Sequence, residues 1–456
     1  TSDVACVQRS SRSGRGTGMR TLVKDLWSKD ARKTISGTVE LRGWVHRIRE
    51  LGGVSFVMLR DRSGVGQVVV EGKVDLSLES VVVIEGTVAE NPKAPGGVEL
   101  HALNIEVVSS AEPDLPFPVN GDPIKIGLDV ILDNRVLSLR NPKIRSIFAV
   151  QATIIDAFSS WLRAHDFTEM KTSKLIGSGT EGGTGLFEVD YFDTKVYLAQ
   201  SPQFYKQTMV ASGMERVFEV APAYRAEKHD TPRHLNEYIS LDLEMAWIDS
   251  ERDLIELEKD LLESIFDTVA TRNPEALSLW GSTVPDAESV LRSPVVSHDE
   301  ALSIAAEEAA RSGTGDKSIK RAYEISPEVE RLICSWSARE HGSDLVFINE
   351  FPRRHRPFYT YPLDSTRSMS FDAIFRGLEI TTGGRRHNVY RELLDVLPRF
   401  GLKAEDLTDY LNVFRYGCPP HGGFAIGCER LTQKILGLGN VKEASLFPRD
   451  RKRIRP

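Results

Sequence analysis

The sequence predicts an α+β protein with a small β-barrel near the N-terminus and a larger domain that mixes sheet and helices. Three observations lead to this prediction. Residues 38–108 hold five β-type runs divided by glycine turns, residues 112–123 carry four prolines and little other pattern, and helical and strand-like patterns alternate beyond residue 141. A chain of 456 residues also exceeds one ordinary core, so two or three domains are expected.

The β-type runs assign residues 19–110 to the barrel domain. The runs are TVELRGWVHRIREL, VSFVMLRDRSG, VGQVVVEG, SVVVIEGTVAE and GVELHALNIEVVSS. Five runs in so short a stretch are typical of the five-stranded oligonucleotide-binding (OB) barrel. A five-stranded barrel that binds no ligand stays open as the alternative.

The segments that flank the barrel show less pattern. Residues 1–18 are rich in serine, arginine and glycine and lack the apolar stretch of a secretory signal. We therefore expect them to be a disordered extension, either native or left from an expression vector. The prolines place a hinge at residues 111–140.

Residues 141–456 are predicted to form the second domain. Asn141 and Pro142 stand where a helix can begin. An apolar stripe at three- and four-residue steps follows, formed by Ile147, Val150, Ile154, Ile155, Phe158 and Leu162. Strands are expected next, at residues 186–199, 215–225 and 236–248. A helix follows at residues 250–270, and residues 272–345 are a mixed, polar region without an assigned role.

Composition narrows the class of protein. Hydrophobic residues make up 41% and charged residues 27% of the chain, and no run of about 18 apolar residues predicts a membrane span. The net charge of −7 means that any nucleic-acid contact must come from a local basic patch. The four cysteines show no metal-binding spacing, which favours a reducing, cytoplasmic location.

A charged strand–loop–strand segment is the first candidate site. In VAPAYRAEKHDTPRHLNEYISLDLEM, residues 220–245, Arg225 and Glu227 share one face of a strand, and Arg233 and His234 follow across the loop. Arginines on two sides of a loop suit a triphosphate, because the guanidinium fork matches phosphate oxygens. A solvated hairpin with weak surface ion pairs is the alternative.

A glycine-rich segment near the C-terminus is the second candidate. PPHGGFAIGCERLTQKILG predicts a strand-to-helix junction at which Arg430 stands near the helix start. Taken alone, it is an ordinary glycine turn with an exposed arginine. Together with Arg225, it offers guanidinium groups from distant parts of the chain to one anion.

These two segments resemble motifs 2 and 3 of the class II aminoacyl-tRNA synthetases. TEGGTGLF, QSPQFYKQ, FDAIFRGLEITTGG and FPRDRKR fall in the order found in that family. From Met19 to Pro456 the chain resembles the class IIb aspartyl-tRNA synthetases of the archaeal and eukaryotic type, without room for the large insertion of bacterial members. The resemblance implies an antiparallel catalytic sheet flanked by helices.

The resemblance also implies the residues that bind ATP and Mg²⁺. Catalytic roles fall to Arg225, Glu379 and Arg430. The ATP-binding set is Arg225, Ala226, Glu227, Arg233, His234, Leu235, Glu379, Gly427, Cys428, Glu429 and Arg430. Mg²⁺ would bind Glu379, with Asp372 and Thr382 nearby, since carboxylates and substrate phosphates usually hold this ion. For Asp372, a buried pair with Arg376 is an equally good interpretation.

The amino-acid site follows from the same resemblance. Glu181 would bind the substrate ammonium, and the pocket would be lined by Gln203, Phe204, Tyr205, Lys206, Arg225, Thr382 and Arg386. Lys206 and Arg386 are two cations that favour a side-chain carboxylate, because a neutral carboxamide would leave them unpaired. Aspartate is therefore favoured over asparagine. A surface lysine is the alternative for Lys206.

The implied reaction has two steps. The aspartate α-carboxylate attacks the α-phosphate of ATP, and tRNA then takes the aspartyl group from the adenylate. In the barrel, Phe56 would stack on an anticodon base and Gln67 would bond a base edge. Arg47, Arg49 and Arg60 would steer the phosphate backbone. Phe56 as plain barrel core is the competing interpretation.

Two barrel positions bear on the choice of tRNA. In the aspartyl family, strict readers of tRNA(Asp) tend to have Trp where His46 aligns and Lys where Pro92 aligns. His46 and Pro92 therefore predict a relaxed enzyme that charges both tRNA(Asp) and tRNA(Asn), whose misacylated product would need an amidotransferase partner. A strict aspartyl enzyme, an asparaginyl enzyme and a non-catalytic paralog remain alternatives.

The chain departs from the family pattern in motif 1. Ser173 stands where a proline normally ends the strand, and Asp166 where glycine is common. Thr382 replaces a more usual serine and keeps the hydroxyl. A homodimer is expected from the resemblance, and the first two departures bear on its interface.

Overall fold

The computed structural model describes residues 7–9, 20–28, 30, 37–177, 179, 185–313 and 324–455. The chain divides into two compact units, Thr1–Leu137 and Ser138–Pro456. Among the helices in the described ranges, none combines the length and apolar character needed to cross a bilayer.

The first unit is a closed barrel. Its strands are β1 (Val7–Arg9), β2 (Val39–Leu51), β3 (Val54–Arg60), β4 (Val65–Glu71), β5 (Val81–Glu90) and β6 (Val98–Ser109). The hydrogen-bonded order is β1-β6-β4-β3-β2-β5, and β5 also pairs with β6, which closes the barrel. The five strands expected from the sequence, β2 to β6, thus form the predicted OB barrel.

Alternating burial explains why these runs form strands. In β3, Val57 and Leu59 are fully buried in the barrel core, whereas Phe56 and Met58 point to the other face and are half-buried. The interpretation of Phe56 as plain barrel core is therefore wrong. One face of each strand supplies apolar burial, and the other stays available for contacts.

Short helices complete this unit. Helix α1 (Val23–Trp27) buries Val23 and Leu26 against the barrel core. Gly96 has φ +69° and lies against Trp27, so close that an added Cβ would fall 1.8 Å from the indole ring. Helices α2 (Leu128–Asp133) and α3 (Arg135–Ser138) lie in the stretch predicted as a hinge.

The extension before Met19 holds one described element. Residues Val7–Arg9 form β1, which pairs in parallel with Ile105–Val107 of β6. This differs from the expectation that residues 1–18 are disordered, because the exposed edge of β6 offers unpaired backbone groups to the segment. The other residues of the extension lie outside the described residues.

The second unit is built on an eight-stranded sheet of order β13-β14-β15-β16-β17-β12-β11-β7. All its pairings are antiparallel except β13–β14 and β11–β7. Its strands are β7 (Thr168–Glu169), β11 (Arg216–Tyr224), β12 (Glu237–Ala246), β13 (Val295–Ser297), β14 (Leu345–Asn349), β15 (Ser370–Phe375), β16 (Leu378–Arg386) and β17 (His421–Gly427). A smaller sheet holds β8 (Leu175–Ile176), β9 (Glu188–Tyr191) and β10 (Thr194–Leu198) in the order β8-β10-β9.

Helices flank the large sheet, as the resemblance implied. They are α4 (Pro142–Ala164), α5 (Gln203–Met209), α6 (Glu251–Arg272), α7 (Pro274–Trp280), α8 (Ala287–Leu291), α9 (His298–Arg311), α10 (Pro327–His341), α11 (Tyr390–Val396), α12 (Thr408–Arg415) and α13 (Cys428–Leu436). Asn141 caps α4 by accepting from the Lys143 N–H at 2.9 Å, and Pro142 is the first helical residue, as predicted.

The apolar stripe of α4 meets the sheet and helix α6 in one core. Ile147, Val150, Ile154 and Phe158 are buried there together with Leu241 and Leu243 of β12, and Phe158 contacts Phe218 of β11 edge to face. This core fixes one face of β12, so the alternate residues of that strand must face the other way.

The region at residues 272–345 is a continuation of this domain. It supplies helices α7 to α10, apart from residues 314–323, which are not described, and it adds β13 to the sheet edge. Helices α9 and α10 pack together through small residues such as Ala305 and Ala309 against Val329.

Candidate active site

Strand β12 organises the site. Leu241 and Leu243 enter the core, so Tyr238, Ser240, Asp242 and Glu244 follow one another on the opposite face. Hydrogen-bonded partners on both sides, β11 and β17, hold this polar face in register. Two charged sites lie along it, one around Tyr238 and Ser240 and the other around Asp242 and Glu244.

The first site is an open pocket that encloses about 710 Å³ of space, including the solvent at its mouth. We call it the arginine pocket. It is lined by Arg225, Glu227, Arg233, His234, Leu235, Tyr238, Ser240, Glu379, Ile380, Thr382, Ala425, Gly427, Glu429, Arg430 and Val441. The two candidate segments, far apart in sequence, therefore meet, and all three predicted catalytic residues are among the lining residues.

Arg430 reaches back from the start of α13 and connects both segments. Its Nη1 donates to the carbonyl and to Oε1 of Glu379, each at 3.1 Å, and its Nε donates to the carbonyl of Arg233 at 3.4 Å. Arg225 follows β11, where its guanidinium carbon lies 5.6 Å from the ring centre of Tyr238. Guanidinium groups thus approach the pocket from motif 2 and from motif 3.

His234 is held neutral at the same loop. Burial lowers the pKa of His234, and Arg430 and Arg233 lower it further, against the opposing effect of Glu227. Its Nδ1 lies 2.6 Å from the hydroxyl of Thr231. The cations of the pocket are therefore the arginines rather than this histidine.

A β-bulge brings Glu379 and Thr382 to one face of β16. The pairing with β15 shifts register at Ala373/Ile374, so Asp372 opposes Thr382 while Ile374 opposes Glu379. Residues three apart in a regular strand face opposite sides, and the extra residue reverses this. The Thr382 hydroxyl consequently lies 3.5 Å from Oε1 of Glu379.

Four arginines determine the charge of Glu379. Burial alone would raise the pKa of Glu379, but four guanidinium groups outweigh it and lower that pKa, those of Arg430, Arg356, Arg233 and Arg225. Glu379 is therefore an ionised carboxylate beside several guanidinium groups.

Asp372 is buried next to this carboxylate. Its Oδ2 pairs with Arg356 at 2.8 Å, and Arg356 also stacks on Phe351 at 3.7 Å. The expected alternative partner, Arg376, was wrong, since Arg376 bonds Asp344 at 2.9 Å. Burial raises the pKa of Asp372 despite Arg356, and the neighbouring Glu379 raises it further.

Two residues of the predicted ATP-binding set lie away from the lining of the arginine pocket. Cys428 is fully buried in the core and does not line the arginine pocket. Ala226 lines a neighbouring cleft with Phe187 and Ile454 instead. Glu429 does line the pocket, but its carboxylate accepts the N–H of Ile239 at 3.1 Å, and burial raises the pKa of Glu429 to about 8.

The second site, which we call the charged socket, comprises Gln203, Lys206, Asp242, Glu244 and Arg386. Lys206 Nζ lies 2.9 Å from Asp242 Oδ1 and 3.4 Å from Glu244 Oε2, and Arg386 Nε donates to Glu244 Oε1 at 3.0 Å. Arg386 also donates to Gln203 Oε1 at 3.2 Å. The side chains of the two cations are only 1% and 7% exposed.

The socket corrects two expectations. Lys206 is not a surface lysine, and neither cation waits unpaired for a ligand, because Asp242 and Glu244 neutralise them. Burial alone would raise the pKa of Glu244, but Arg386 and Lys206 outweigh it, so the pKa of Glu244 is lowered and the group stays ionised. Any entering carboxylate must therefore exchange with ion pairs within the protein.

Helix geometry divides the predicted pocket-lining run QFYK. Gln203 and Lys206 lie one turn apart and face the socket, whereas Phe204 stacks on Tyr410 with ring centres 4.1 Å apart. Phe204 therefore belongs to an aromatic cluster with Phe358, contrary to the expectation. Tyr205 is half-buried, and Glu181 lies outside the described residues.

Several site residues were missed by sequence reasoning. Tyr238, Ser240, Asp242 and Glu244 alternate along YISLDLE, and a period-two pattern with a polar face beside an arginine-rich loop was the available signal. Glu330 of α10 bonds Arg233 at 2.6 Å from within the region that had no assigned role. No local signal marks Glu330.

On the barrel, the predicted anticodon residues share the outer face. In the strand ladder Phe56 opposes Arg49 and Val69, and Met58 opposes Arg47 and Gln67. The amide of Gln67 donates to Glu99 at 2.8 Å. The described contacts thus place Phe56 and Gln67 near exposed arginines.

Arg60 was expected to steer phosphates, and this was wrong. It is 2% exposed and bonds Glu79 through both guanidinium ends, at 2.9 and 2.6 Å. Its Nη1 also lies 2.8 Å from Nδ1 of His46. Burial lowers the pKa of His46 to about 4, and Arg60 adds to this effect.

His46 itself is the extra residue in a bulge of β2, between Val45 and Arg47. Pro92 is exposed in the turn before β6.

The motif 1 departures have local explanations. Asp166 has φ +65°, where glycine would be unstrained, and the Ser173 hydroxyl bonds the Leu175 carbonyl at 2.9 Å.

Comparisons with known proteins agree with this geometry. Residues 127–451 match the family model described as tRNA synthetases class II (D, K and N), and residues 39–108 match the OB-fold nucleic acid binding domain. The chain belongs to the class II tRNA synthetases. It is therefore an aminoacyl-tRNA synthetase, an enzyme class that uses ATP.

The relatives of this synthetase extend over almost the whole chain. It is 46% identical to the aspartate–tRNA(Asp/Asn) ligase of Thermus thermophilus, over 96% of this chain and 100% of the relative. It is 38% identical to the aspartate–tRNA(Asp) ligase of Pyrococcus horikoshii, over 95% and 100%. Among solved structures, the asparaginyl-tRNA synthetase of P. horikoshii with asparaginyl-adenylate is similar, with a TM-score of 0.82, 30% identity, and coverage of 92% and 96%.

Proposed function

We propose that this synthetase attaches L-aspartate to tRNA through aspartyl-adenylate, and that it charges both tRNA(Asp) and tRNA(Asn). The observation that carries the proposal is the pair of sites along β12: an arginine pocket suited to a nucleotide beside a socket that holds Lys206 and Arg386. The names of the similar aspartate–tRNA ligases support aspartate as the substrate.

The reaction follows from the placement of charges. The α-carboxylate of aspartate attacks the α-phosphorus of ATP, the bond to the β-phosphate oxygen breaks, and pyrophosphate leaves. Arg225 and Arg430 neutralise the charge that develops on the phosphate oxygens. A terminal ribose hydroxyl of tRNA then attacks the activated carbonyl, and AMP leaves. Glu181 is proposed to bind the substrate ammonium.

Mg²⁺ is part of the proposal. Within the described ranges no cluster of three His, Cys, Asp or Glu side chains could hold a metal, so the ion would depend on oxygens of the nucleotide. Glu379 and Thr382 fit this role, since the β16 bulge brings their oxygens together, whereas the predicted third donor, Asp372, is paired with Arg356. A bound Mg²⁺ would supply charge neutralisation of the phosphates.

The barrel is proposed to read the anticodon. Phe56 offers a stacking surface, Gln67 a polar contact and the exposed arginines Arg47 and Arg49 contacts to phosphate. His46 and Pro92 support relaxed recognition of tRNA(Asn). An amidotransferase would then convert the misacylated product. A homodimer and a cytoplasmic location complete the proposal.

Side-by-side aminoacylation tests it. Purified protein, ATP, Mg²⁺ and radiolabelled aspartate are incubated with tRNA(Asp) or tRNA(Asn). Acid-precipitable aspartate on both tRNAs is expected. Charging of tRNA(Asp) alone removes the relaxed specificity, and charging of tRNA(Asn) with asparagine but not aspartate overturns the substrate. A His46→Trp variant, with Arg47 and Arg49 unchanged, is the matched variant for tRNA choice.

A further inference from the structure

Glu330 is a buried carboxylate with no assigned role that touches the wall of the arginine pocket. It lies in the first turn of α10, and only 3% of the residue is exposed. Both its oxygens accept from a single nitrogen of Arg233, Nη2, at 2.6 and 2.7 Å. Its Oε2 also accepts the backbone N–H of Glu379 at 3.2 Å.

These contacts close a ring with Arg430. Glu330 joins the Arg233 side chain to the Glu379 backbone. Arg430 joins the Glu379 carbonyl and carboxylate to the Arg233 carbonyl, at 3.1 and 3.4 Å. The ring therefore fixes a loop residue, a strand residue and a helix residue that all line one pocket.

The physical effect of this ring concerns Arg233. An arginine in a loop loses much rotamer freedom when it binds a ligand, and this loss weakens binding. Glu330 uses one nitrogen, so the guanidinium is oriented before a ligand arrives while its other nitrogens are not used by this carboxylate. A buried carboxylate is also a strong acceptor, because charge-assisted bonds are about twice as strong as neutral ones.

We propose that Glu330 is a positioning residue that holds Arg233 ready for the phosphates of ATP. The proposal rests on the proposed function, and it gives the region at residues 272–345 a part in nucleotide binding. The alternative is that Glu330 only anchors α10 to the sheet. In that case its loss would weaken the fold and leave nucleotide affinity unchanged.

The test compares four variants. Glu330→Gln keeps the size and one acceptor but removes the charge that orients Arg233. Arg233→Met removes the group acted upon, the double variant combines both changes, and Glu328→Gln, on the same turn of α10, is the matched control. Each is assayed by aspartate-dependent pyrophosphate exchange, by calorimetric titration with ATP alone and by thermal unfolding.

The expected result is a split between substrates. Glu330→Gln should raise KM for ATP by roughly 5- to 10-fold, the size of one ordinary hydrogen bond, and leave KM for aspartate within about twofold. In the Arg233→Met background the same change should have no further effect. Glu328→Gln should match the wild type.

Other outcomes overturn the proposal. Unchanged ATP affinity in Glu330→Gln, an undiminished effect in the Arg233→Met background, or equal rises in both KM values with a lower Tm would each leave Glu330 a structural anchor. Absence of exchange in the wild type would instead contradict the proposed function. Calorimetry with ATP would still decide the role of Glu330.

Discussion

The arginine pocket and the charged socket lie along the same face of β12 and treat charge in different ways. In the pocket, the exposed fractions of the Arg430 and Glu379 side chains are 25% and 35%, and four arginines lower the pKa of Glu379. In the socket, the Lys206 and Glu244 side chains are 1% and 0% exposed, and two cations face two carboxylates. One site is open and rich in cations, and the other is closed and balanced.

This difference indicates two modes of binding. In the arginine pocket, a triphosphate displaces water from exposed guanidinium groups. Because salt screens exposed charges, the affinity for the triphosphate should depend strongly on salt concentration. A closed and balanced network accepts a ligand only by exchanging partners. The side-chain carboxylate of aspartate can make such an exchange, because it can replace Asp242 or Glu244 beside Lys206 and Arg386, whereas the neutral carboxamide of asparagine cannot.

The largest effect is expected for Arg430→Met, which breaks the open site. Arg430 contacts both Glu379 and the motif 2 loop, so its loss removes charge stabilisation and the link between segments. Aspartate-dependent pyrophosphate exchange should fall by about 10³-fold. Arg399→Met, an exposed arginine outside the pocket, should leave exchange unchanged, and a fall of less than tenfold in Arg430→Met would refute its role.

A somewhat smaller effect on catalysis is expected for Lys206→Met, which breaks the balanced site. The preference for aspartate over asparagine is measured as the ratio of the two kcat/KM values in pyrophosphate exchange. It should fall by roughly 10²-fold, because the side-chain carboxylate of bound aspartate loses the Lys206 ammonium as its partner. Stability should also fall, by about 3–5 kcal/mol, because Asp242 and Glu244 keep an uncompensated charge.

The matched control for Lys206→Met is Lys259→Met. Lys259 is also largely buried, but it bonds Glu256 on α6, away from the socket. It should not change the preference between the two amino acids. An unchanged preference in Lys206→Met would show that the socket does not read the side chain.

His46→Trp sharpens the comparison because it leaves both catalytic sites intact. Charging of tRNA(Asn) should fall about tenfold, the loss expected for one mismatched base contact, whereas charging of tRNA(Asp) and pyrophosphate exchange should hold. Aminoacylation of tRNA(Asn) and tRNA(Asp), side by side, measures this difference in charging. An equal loss on both tRNAs would mean that His46 supports the barrel rather than tRNA choice.

The smallest effect concerns Glu258, behind the sheet that carries both sites. Its Oε1 accepts from the Thr381 hydroxyl at 2.6 Å, and burial raises the pKa of Glu258 to about 8. The unfolded chain loses this proton near the ordinary glutamate pKa, so the contribution to stability is greatest below about 4.5 and declines as pH rises towards 8.

Glu258→Gln keeps the acceptor for Thr381 and removes the titration. It should match the wild type near pH 5 and be more stable by about 1 kcal/mol at pH 6, with a larger difference at pH 8, as measured by urea unfolding at the three values. Glu256→Gln, an exposed neighbour on α6, should show no such difference. Equal stability of Glu258→Gln and wild type at pH 8 would contradict the assignment.

Strong periodicity made part of the fold predictable. The stripe of α4 and the alternation of the barrel strands have large apolar side chains at regular steps, and both elements formed as expected. Helix α9 gave little signal because it buries small residues, Ala301, Ala305 and Ala309 among them. Small apolar residues contrast weakly with polar neighbours, so the region at residues 272–345 could not be placed.

Site residues could be predicted from the sequence only where they lie in segments that resemble family motifs. Arg225, Glu379 and Arg430 line one pocket as the resemblance implied. The burial of Lys206 depends on Asp242 and Glu244, which are remote in sequence, and the β16 bulge opposite Ala373/Ile374 leaves no local mark. Likewise, neighbours in the run QFYK could not be separated until the direction of helix α5 was known.

The central claim is that the charged socket selects aspartate over asparagine. The selected aspartate then reacts with the ATP that is bound in the arginine pocket. Pyrophosphate exchange by the wild-type protein, with saturating ATP and Mg²⁺ and either aspartate or asparagine, tests it most directly. We expect exchange with aspartate and a kcat/KM at least about 10²-fold lower with asparagine. Exchange with asparagine equal to or above that with aspartate would contradict the account.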